Sequence, residues 1–473
     1  MSATAAIAFG DTRIEVHLPE GTRTLLPPPP LPALANPEAA VLEALRNPMG
    51  HEPLGKLAGP GARVTIAFDD PTIPVTPMEG PDFREMAIPV ILGELLDAGV
   101  ALQDVRLLCA NALHRKWTRR ELATILGPAI PMLWGPQRLT CHDAEDPDAL
   151  VFLGETARGI EVEVNRAILE SDLFIYVNIT PTPMNGGWKS TVVGLSSFRS
   201  IRHHHRPFPS TGHSIMDAHR SAFQKILWEM GRLLAAELAR KGRKIFQVES
   251  VLTNEVPARV ALVAAGDVEQ THARILDAVN RQLVVDVQGQ TDVMLIGLPD
   301  ADPYSKHSMM NPLLVHNLGL AYTFGLYQGK PPVREGGILI LASPCRPRWN
   351  RIHHPSYPDF YESVIPNSAD PFDAWDTFSD DFAHRPEYVH KYRHAFGFHG
   401  VHPFFMWNAR VFPSRHLSRM FLAGAEDPEV ARRLGFEPFP TVEAAFAEAQ
   451  AQLGRGFTTT SLPLPPVCIP RVA

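Results

Sequence analysis

The chain has 473 residues, of which 45% are hydrophobic, and it carries a formal net charge of -7 at pH 7. A chain of this length is too long to fold around one small hydrophobic core, so we expect two or three domains with a ligand cleft between them. The acidic balance and the scattered lysines and arginines exclude a basic face for nucleic acid. A small molecule is therefore the expected partner.

No run of about 18 consecutive apolar residues is present in the sequence, and the N-terminus lacks the charged-then-apolar layout of a signal peptide. These features predict a cytoplasmic protein without a membrane partner. The four cysteines lie far apart and form no C-x-x-C pair, which argues against a disulfide framework and against a structural zinc site. They are Cys109, Cys141, Cys345 and Cys468.

The first half of the chain alternates predicted strands and helices. Strands are predicted over 7–18, 63–68, 105–109 and 172–178, and helices over 37–46, 82–98 and 223–238, with a polyproline spacer at 27–30. This alternation predicts a parallel sheet, whose ligands bind outside the carboxyl ends of the strands. Asp70, His114 and Lys189 all fall in loops that follow predicted strands.

The second half predicts a smaller α/β domain. A helix over 268–282 precedes strands at 292–297 and 337–342, and Thr441 can cap a last helix. The Pro-rich tail from Arg455 is interpreted as a strap or as a partly disordered segment. We therefore predict two α/β domains with mainly parallel sheets and the active site in the cleft between them. The predicted bounds are 1–275 and 276–440, followed by a helix and tail at 441–473.

A glycine pair and a lysine follow the third strand, in the segment Gly186-Gly187-Trp188-Lys189. The segment resembles a P-loop only superficially, because that motif needs glycine directly before the lysine, where Trp188 stands. No G-x-G-x-x-G fingerprint follows a predicted strand either. An ordinary surface loop explains the segment, and so does a backbone that a bulky cofactor must approach closely.

Histidines cluster in the segment Arg202-His203-His204-His205-Arg206. Imidazole binds nickel, copper, zinc or iron, but consecutive residues cannot all face one ion. An exposed turn or an anion patch accounts for the cluster equally well. His390 and His394 are spaced for one helix face, yet the glutamate of an H-E-x-x-H motif is absent, so metal binding is the lesser expectation there. The same holds for His353-His354.

Two further polar groups stand at predicted strand ends. His114 is interpreted either as a general base or as a helix-capping residue. Asp69 and Asp70 are interpreted as ligands of a metal or a ribose hydroxyl, or as a simple Asx turn before Pro71. Local sequence favours the turn.

Taken together in chain order, these segments resemble the nickel-dependent lactate racemase family. Any single motif is weak, whereas so many in the same order are fairly specific. The matching segments are Ala44-Leu45-Arg46-Asn47-Pro48-Met49-Gly50 with Pro53-Leu54, Asp70-x-Thr72-x-Pro74, Leu113-His114-Arg115, His142-Asp143, Leu153-Gly154-Glu155-Thr156, Val164-Asn165-Arg166, Ser171-Asp172, Gly186-Gly187-x-Lys189, Gly194, His205, and Ala265-Gly266-Asp267 with His272.

The family's cofactor is a nickel-pincer nucleotide, the nickel complex of pyridinium-3,5-bisthiocarboxylic acid mononucleotide, joined to a lysine by a thioamide. The resemblance implies an N-terminal cofactor-binding domain in which Lys189 holds the cofactor and His205 is the protein ligand of nickel. Gly186 and Gly187 are then expected to border the cofactor. Enzymes that make the cofactor are implied as upstream partners.

The resemblance also implies the reaction, which is inversion of a 2-hydroxyacid. A histidine takes the hydroxyl proton while the α-hydrogen leaves as hydride to the cofactor, and return of the hydride to the resulting keto acid gives either enantiomer. His114 matches one of the two family bases. Asp70 matches the residue near the cofactor's ribose, and Thr72 belongs to the same cofactor-facing loop.

The sequence departs from the family pattern where the substrate is expected. Ile179 stands where the family has its second histidine, and Ile73 stands where it has an arginine suited to a substrate carboxylate. The stretch Asn311-Pro312-Leu313-Leu314-Val315 replaces a family Gln and Lys. Lactate is therefore not the expected substrate, and a bulkier, less acidic or differently anchored one is favoured.

Three functions follow from these features. The first is a racemase or epimerase of a 2-hydroxyacid with the nickel-pincer cofactor. The second is a one-way hydride-transfer enzyme with the same cofactor, which the loss of one base would allow. The third is a non-catalytic homologue that binds the cofactor or a ligand.

Overall fold

The computed structural model describes residues 3–207 and 214–473. These residues form two α/β units, each around a six-stranded sheet, which confirms the predicted fold class. Within the described ranges, no helix has the length and apolar character needed to cross a membrane. The cytoplasmic location stays a prediction.

The chain starts with three strands, β1 (Ala3–Phe9), β2 (Thr12–Leu18) and β3 (Arg23–Thr24). The elements of the first unit follow in chain order: α1 (Pro37–Arg46), β4 (Val64–Asp69), α2 (Phe83–Asp97), β5 (Val105–Ala110), α3 (Arg119–Leu126), α4 (Ala129–Leu133), β6 (Leu139–Cys141), β7 (Leu150–Glu155), β8 (Glu161–Asn165), α5 (Ala167–Glu170), β9 (Leu173–Ile179), α6 (Trp188–Val192), α7 (Phe198–His205), α8 (Ala222–Arg240), β10 (Ile245–Leu252), β11 (Val260–Gly266) and α9 (Val268–Leu283).

The second unit contains the remaining elements: β12 (Val284–Val287), β13 (Thr291–Gly297), α10 (Pro312–Leu320), β14 (Gln328–Gly329), β15 (Val333–Ala342), α11 (Tyr357–Asp359) with a π-helical turn at Phe360–Val364, α12 (Pro371–His384), α13 (Pro386–His394), α14 (His402–Asn408), α15 (Pro413–His416), β16 (Arg419–Ala423), α16 (Pro428–Arg433), β17 (Glu437–Phe439), α17 (Val442–Leu453), β18 (Thr459–Leu462) and β19 (Ile469–Val472).

The first sheet has the strand order β11-β10-β9-β4-β5-β6 and is parallel apart from β11. Every residue of β4 and of β9 is buried, as expected for central strands covered on both faces. The loops after β4, β5 and β9 therefore leave the same edge of the sheet. This edge is where a parallel sheet places its ligand.

The second sheet has the order β17-β16-β15-β13-β18-β3 and is entirely parallel. Its first two predicted strands are present as β13 and β15, and β15 begins four residues before the predicted start. Residues 357–416 add helices α11 to α15 between β15 and β16, and the sequence analysis did not predict them.

The N-terminal segment differs from its prediction in two respects. The single strand expected over 7–18 is a hairpin, because Gly10 adopts a positive φ of 62° and turns the chain between β1 and β2. The hairpin also packs on the second sheet and not on the first. Gly10 N donates to Leu298 O at 2.9 Å, and Ile7 is buried against Val293 and the strands beside it.

The C-terminal tail is ordered into β18 and β19, which pair with β13 and β12. Between these strands, the tail is held to the first unit by Asn254, whose Nδ2 donates to Val467 O at 2.7 Å and whose Oδ1 accepts from Val467 N at 3.1 Å. The strap interpretation therefore describes the tail. The strand pairing does not follow the predicted bounds at 275 and 440, since both ends of the chain join the second sheet.

Replacement of Ile7 by Ala should destabilise the protein by about 2–5 kcal/mol, because it leaves a void between the hairpin and the second sheet. Urea denaturation followed by circular dichroism measures the change. The exposed Glu15 on the same hairpin provides the control, since Glu15→Ala should stay within about 0.5 kcal/mol of the parent. Equal effects of the two substitutions would show that the hairpin is not docked.

Candidate functional site

A cavity of about 730 Å³ lies between the two units, at the carboxyl edge of the first sheet. Both units supply its walls. It brings together six of the seven site residues predicted from the sequence, namely Asp70, Thr72, His114, Gly186, Lys189 and His205. Gly187 is the seventh and does not line the cavity, although it adjoins Gly186 in the same loop.

The loop after β4 is shaped by a buried arginine on α2. Arg84 is fully buried, and its guanidinium donates to the backbone oxygens of Asp69, Asp70 and Ile73 at 2.7, 2.9 and 2.6 Å. Its charge is balanced by Asp82, whose Oδ2 lies 2.7 Å from Nη2. Burial alone would lower the pKa of Arg84, but Asp82 and the two neighbouring aspartates raise it. The loop is therefore held at three carbonyls by one cation.

Asp70 is the centre of a hydrogen-bonded group at the cavity wall. Its Oδ2 lies 2.8 Å from His114 Nδ1 and accepts from Trp117 Nε1 at 3.1 Å, while Oδ1 accepts from Thr72 N at 3.2 Å and from the Thr72 hydroxyl. Burial would raise the pKa of Asp70, but His114 and these hydrogen bonds hold it below its usual value. An ionised Asp70 fixes the hydrogen of His114 on Nδ1 and leaves Nε2 as the proton acceptor.

Asp69 and Lys189 form the deep end of the cavity. Asp69 accepts from the Tyr176 hydroxyl at 3.0 Å and from Ile179 N at 3.2 Å, and burial raises its pKa to about 6. The Lys189 ammonium makes no hydrogen bond with a described residue, and its pKa is lowered by burial, against the attraction of Asp69 and Asp70. A lysine with a lowered pKa has more of the neutral, nucleophilic amine.

The glycine pair packs against a buried glutamate–histidine pair, of which the sequence indicated His272 but not Glu249. Glu249 on β10 is fully buried and lies 2.9 Å from His272 Nδ1, and this contact raises the pKa of His272 despite burial. Gly186 and Gly187 have positive φ values of 81° and 53°. A Cβ on Gly187 would lie 2.7 Å from the His272 ring, and one on Gly186 would collide with the Glu249 carboxylate. The glycines are thus required by protein packing, whether or not a cofactor also approaches them.

The histidine triplet divides between the surface of the protein and the cavity. His203 lies 3.0 Å from Glu161 on the outer side of α7, whereas His204 and His205 line the cavity. Their Nδ1 atoms are 2.7 Å apart, so one ring donates to the other. Burial, Lys189 and His114 lower the pKa of His205 to about 3. His205 is therefore neutral near pH 7, as a metal ligand must be.

The two isoleucines at the departures from the family pattern have different positions. Ile179 is fully buried within the first sheet and does not reach the cavity. Ile73 lines the cavity and presents an apolar side chain where the resemblance implies an arginine. The nearby Arg84 donates to the backbone oxygen of Ile73 and does not itself line the cavity.

The second unit places aromatic rings and another histidine beside His114. The ring centroids of Tyr304, Phe398 and His402 lie 5.2, 5.8 and 5.8 Å from that of His114. His402 Nδ1 is 2.7 Å from the Tyr357 hydroxyl, and burial lowers the pKa of His402 well below its usual value. No sequence signal marks His402, because only the docking of the two units brings it near His114.

The remaining histidine pairs stay outside the cavity. His390 and His394 share helix α13 with ring centroids 5.3 Å apart, and His354 stacks on Phe398. In the part of the chain that the structure describes, no group of three or more His, Cys, Asp or Glu side chains could hold a metal. A metal at His205 would therefore need donors from a bound group.

The fold and the cavity define a two-unit α/β protein with a buried ligand site between the units. Residues 9–216 match the family model described as the lactate racemase N-terminal domain. A lactate racemase from Thermoanaerobacterium thermosaccharolyticum is 22% identical over 325 residues, which cover 65% of this chain and 66% of that protein. A lactate racemase from Lactiplantibacillus plantarum is 24% identical over 245 residues, which cover 50% of this chain and 52% of that protein.

Solved structures agree with the fold. The lactate racemase apoprotein from T. thermosaccharolyticum matches 99% of this chain and 100% of its own, with a TM-score of 0.70 at 18% identity. A protein from Thermotoga maritima matches 95% of this chain and 100% of its own, with a TM-score of 0.54 at 14% identity. The chain spans about two thirds and about half of the length of the two curated relatives. The chain is therefore similar to lactate racemases, by sequence in its N-terminal part and by fold over most of its length.

The raised pKa of Asp69 predicts a pH dependence of stability. Between about pH 4 and pH 6 the folded chain keeps a proton on Asp69 that the unfolded chain has released, so stability should fall as the pH rises through this window. Asp69→Asn should abolish this fall in the free energy of unfolding, which amounts to about 3 kcal/mol over the whole window. Urea denaturation at pH 4, 5, 6 and 7 measures the slope. The exposed Asp148→Asn should keep the parent's slope, and a parallel curve for Asp69→Asn would contradict the assignment.

Proposed function

We propose that the chain is a racemase or epimerase of a 2-hydroxyacid other than lactate, and that it works with the nickel-pincer nucleotide. The observation that carries the proposal is that Lys189, His205 and His114, which lie on α6, α7 and the loop after β5, line one cavity. The relatives named lactate racemases support the same class of reaction. An isomerase is therefore the proposed enzyme class.

The residues present fit the cofactor. Lys189 offers an amine without a hydrogen-bond partner among the described residues, and its lowered pKa favours acylation. His205 is a neutral imidazole in the same cavity, and the sulfur and carbon donors of the pincer would supply the ligands that the chain lacks. Asp70 and Thr72 lie in the loop proposed to face the ribose. When bound, this cofactor supplies a hydride acceptor that no side chain can provide.

His114 is the proposed base for the substrate hydroxyl. Asp70 accepts from its Nδ1, so Nε2 is free to take the proton and to return it. The same carboxylate stabilises the imidazolium that forms, as an orienting aspartate does in other histidine-based sites. We assign no second base to His402, because this histidine, although it lies beside His114, bonds to the Tyr357 hydroxyl and does not line the cavity.

Intact mass spectrometry tests the cofactor. Protein co-expressed with the cofactor-making enzymes should carry an adduct and about one nickel per chain, and Lys189→Ala should lose the adduct. His205→Ala should keep the adduct but lose nickel, because the pincer remains attached while its protein ligand is gone.

Lys225→Ala provides the matched control, since this lysine is exposed on α8 and should leave both signals unchanged. An unmodified parent mass without nickel would refute the cofactor assignment. An adduct that survives Lys189→Ala would place the attachment on another residue.

Replacement of Asp70 by Asn should lower kcat for inversion by about 100-fold or more, because His114 loses the carboxylate that sets its tautomer. Chiral separation of the products of a 2-hydroxyacid panel measures the rate, and His114→Gln should behave similarly. Adduct mass and nickel content are measured on the same samples. A variant that is fully loaded and fully active would exclude His114 as the base.

The burial of Ile179 supports a second candidate, a one-way hydride-transfer enzyme with the same cofactor. An enzyme with one base would release the keto acid and would not return the inverted hydroxyacid. The chiral assay separates the two functions, because a one-way enzyme accumulates keto product in step with the substrate consumed. The relatives named lactate racemases favour inversion.

A further inference from the structure

Beyond His114 and His205, the cavity continues into a space bounded by rings of the second unit. We call this space the aromatic chamber and define it by Tyr322, Phe324, Phe405 and Phe412. Phe324 and Phe412 stack with centroids 6.3 Å apart, and Phe405 stacks on Trp375 behind it. These rings are supported from behind and form a preformed apolar surface.

The chamber is continuous with the reacting end of the cavity. Phe405 lies 4.6 Å from the ring of the proposed metal ligand His205. On the other side, Tyr304 contacts the His114 ring, and its hydroxyl lies 2.8 Å from that of Tyr322. A substrate whose hydroxyl faces His114 therefore has its side chain directed toward aromatic surface.

The charges of the cavity do not favour a small anion. Among the described residues that line it, the lysines and arginines are Lys189 and Arg206. Lys189 is neutral once joined to the cofactor, and Arg206 is exposed at the rim of the cavity. Ile73 adds an apolar wall where the resemblance implies an arginine. Since the carboxylate gains little from charge pairing, most of the binding free energy must come from burial of an apolar group.

We propose that the substrate is a 2-hydroxyacid with a large apolar side chain, an aromatic ring in preference to a methyl group, and that the aromatic chamber binds this side chain. The inference rests on the proposed function for the reacting end of the substrate. The aromatic lining of the chamber supports the inference independently of that function. Aromatic rings gain both apolar burial and offset or edge contacts with such walls.

The test uses nickel-loaded protein and two probes, 3-phenyllactate and lactate. Isothermal titration calorimetry measures binding, and chiral separation measures inversion. We expect 3-phenyllactate to bind about 100-fold more tightly than lactate, from the added apolar area. Its binding should also show the more negative heat-capacity change.

Ala321→Phe is the test variant, because this alanine lines the cavity next to Tyr322 and a larger side chain there would fill the chamber. We expect it to weaken 3-phenyllactate binding at least 10-fold and to leave lactate binding within about twofold. Ala239→Phe on the exposed face of α8 is the control and should leave both constants unchanged. Thermal unfolding checks that each variant is folded.

The outcomes separate the inference from the proposed function. Equal or tighter binding of lactate would overturn the chamber assignment, and so would selectivity that survives in folded Ala321→Phe. In either case, inversion of another 2-hydroxyacid by loaded protein would leave the proposed function intact. Selective binding of 3-phenyllactate that Ala321→Phe removes, without inversion of any hydroxyacid by loaded protein, would support the chamber and overturn the racemase.

Discussion

The site depends on a buried cation that never reaches the cavity. Arg84 holds the carbonyls of Asp69, Asp70 and Ile73 and is itself neutralised by Asp82, the residue that caps α2. Breaking such a buried pair by removing one partner costs about 3–5 kcal/mol, because the other charge stays uncompensated. The position of Asp70, and through it that of His114, therefore follows from the packing of α2 against the first sheet.

The same loop determines the electrostatics of the cavity. The pKa values of two adjacent aspartates are shifted in opposite directions. Hydrogen bonds keep Asp70 ionised, whereas burial raises the pKa of Asp69 to about 6. The ionised Asp70 orients the ring of His114. Asp69 takes up a proton as the pH falls through about 6, and it then adds less negative charge near Lys189. The pKa of His205 is lowered to about 3, so this imidazole is uncharged near pH 7. A neutral imidazole is the form of histidine that binds a metal.

Local signals made much of the first unit predictable. The helix α1 has the predicted bounds because Asn36 caps it and Pro37 occupies its first turn. Asp70, His114 and Lys189 were expected at one edge because parallel strands end together, and the cavity lies at that edge. The residues alone did not separate His205 from its neighbours. The resemblance selected His205, and the structure places His203 outside the cavity while His204 and His205 both line it.

Features that depend on long-range packing were not predictable from the sequence. Alternation in the N-terminal segment indicated a strand, but it could not show that the β1–β2 hairpin packs on the second sheet or that β3 pairs with β18 near the end of the chain. Glu249 belongs to β10, a strand that was not predicted, and its role follows only from the positions of His272 and Gly186 around it. The surroundings of His114, including Tyr304 and His402, come from the second unit and have no motif.

The residues proposed to hold the cofactor and those proposed to bind the substrate side chain belong to different units of the fold. The proposed cofactor residues belong to the first unit, where Arg84, Glu249 and the glycine pair restrict their positions through buried contacts. The walls of the aromatic chamber belong to the second unit, on α14 and on the turns after α10 and α14, where a side chain can change size without disturbing those contacts. Substrate preference can therefore diverge at Tyr322, Phe405 or Phe412, which are partly exposed, while Lys189 and His205 stay fixed. Ile73, which stands where the resemblance implies an arginine, is an exception to this division because it belongs to the first unit. Arg84 holds the loop at position 73 through the backbone oxygen, so the side chain there is free to vary.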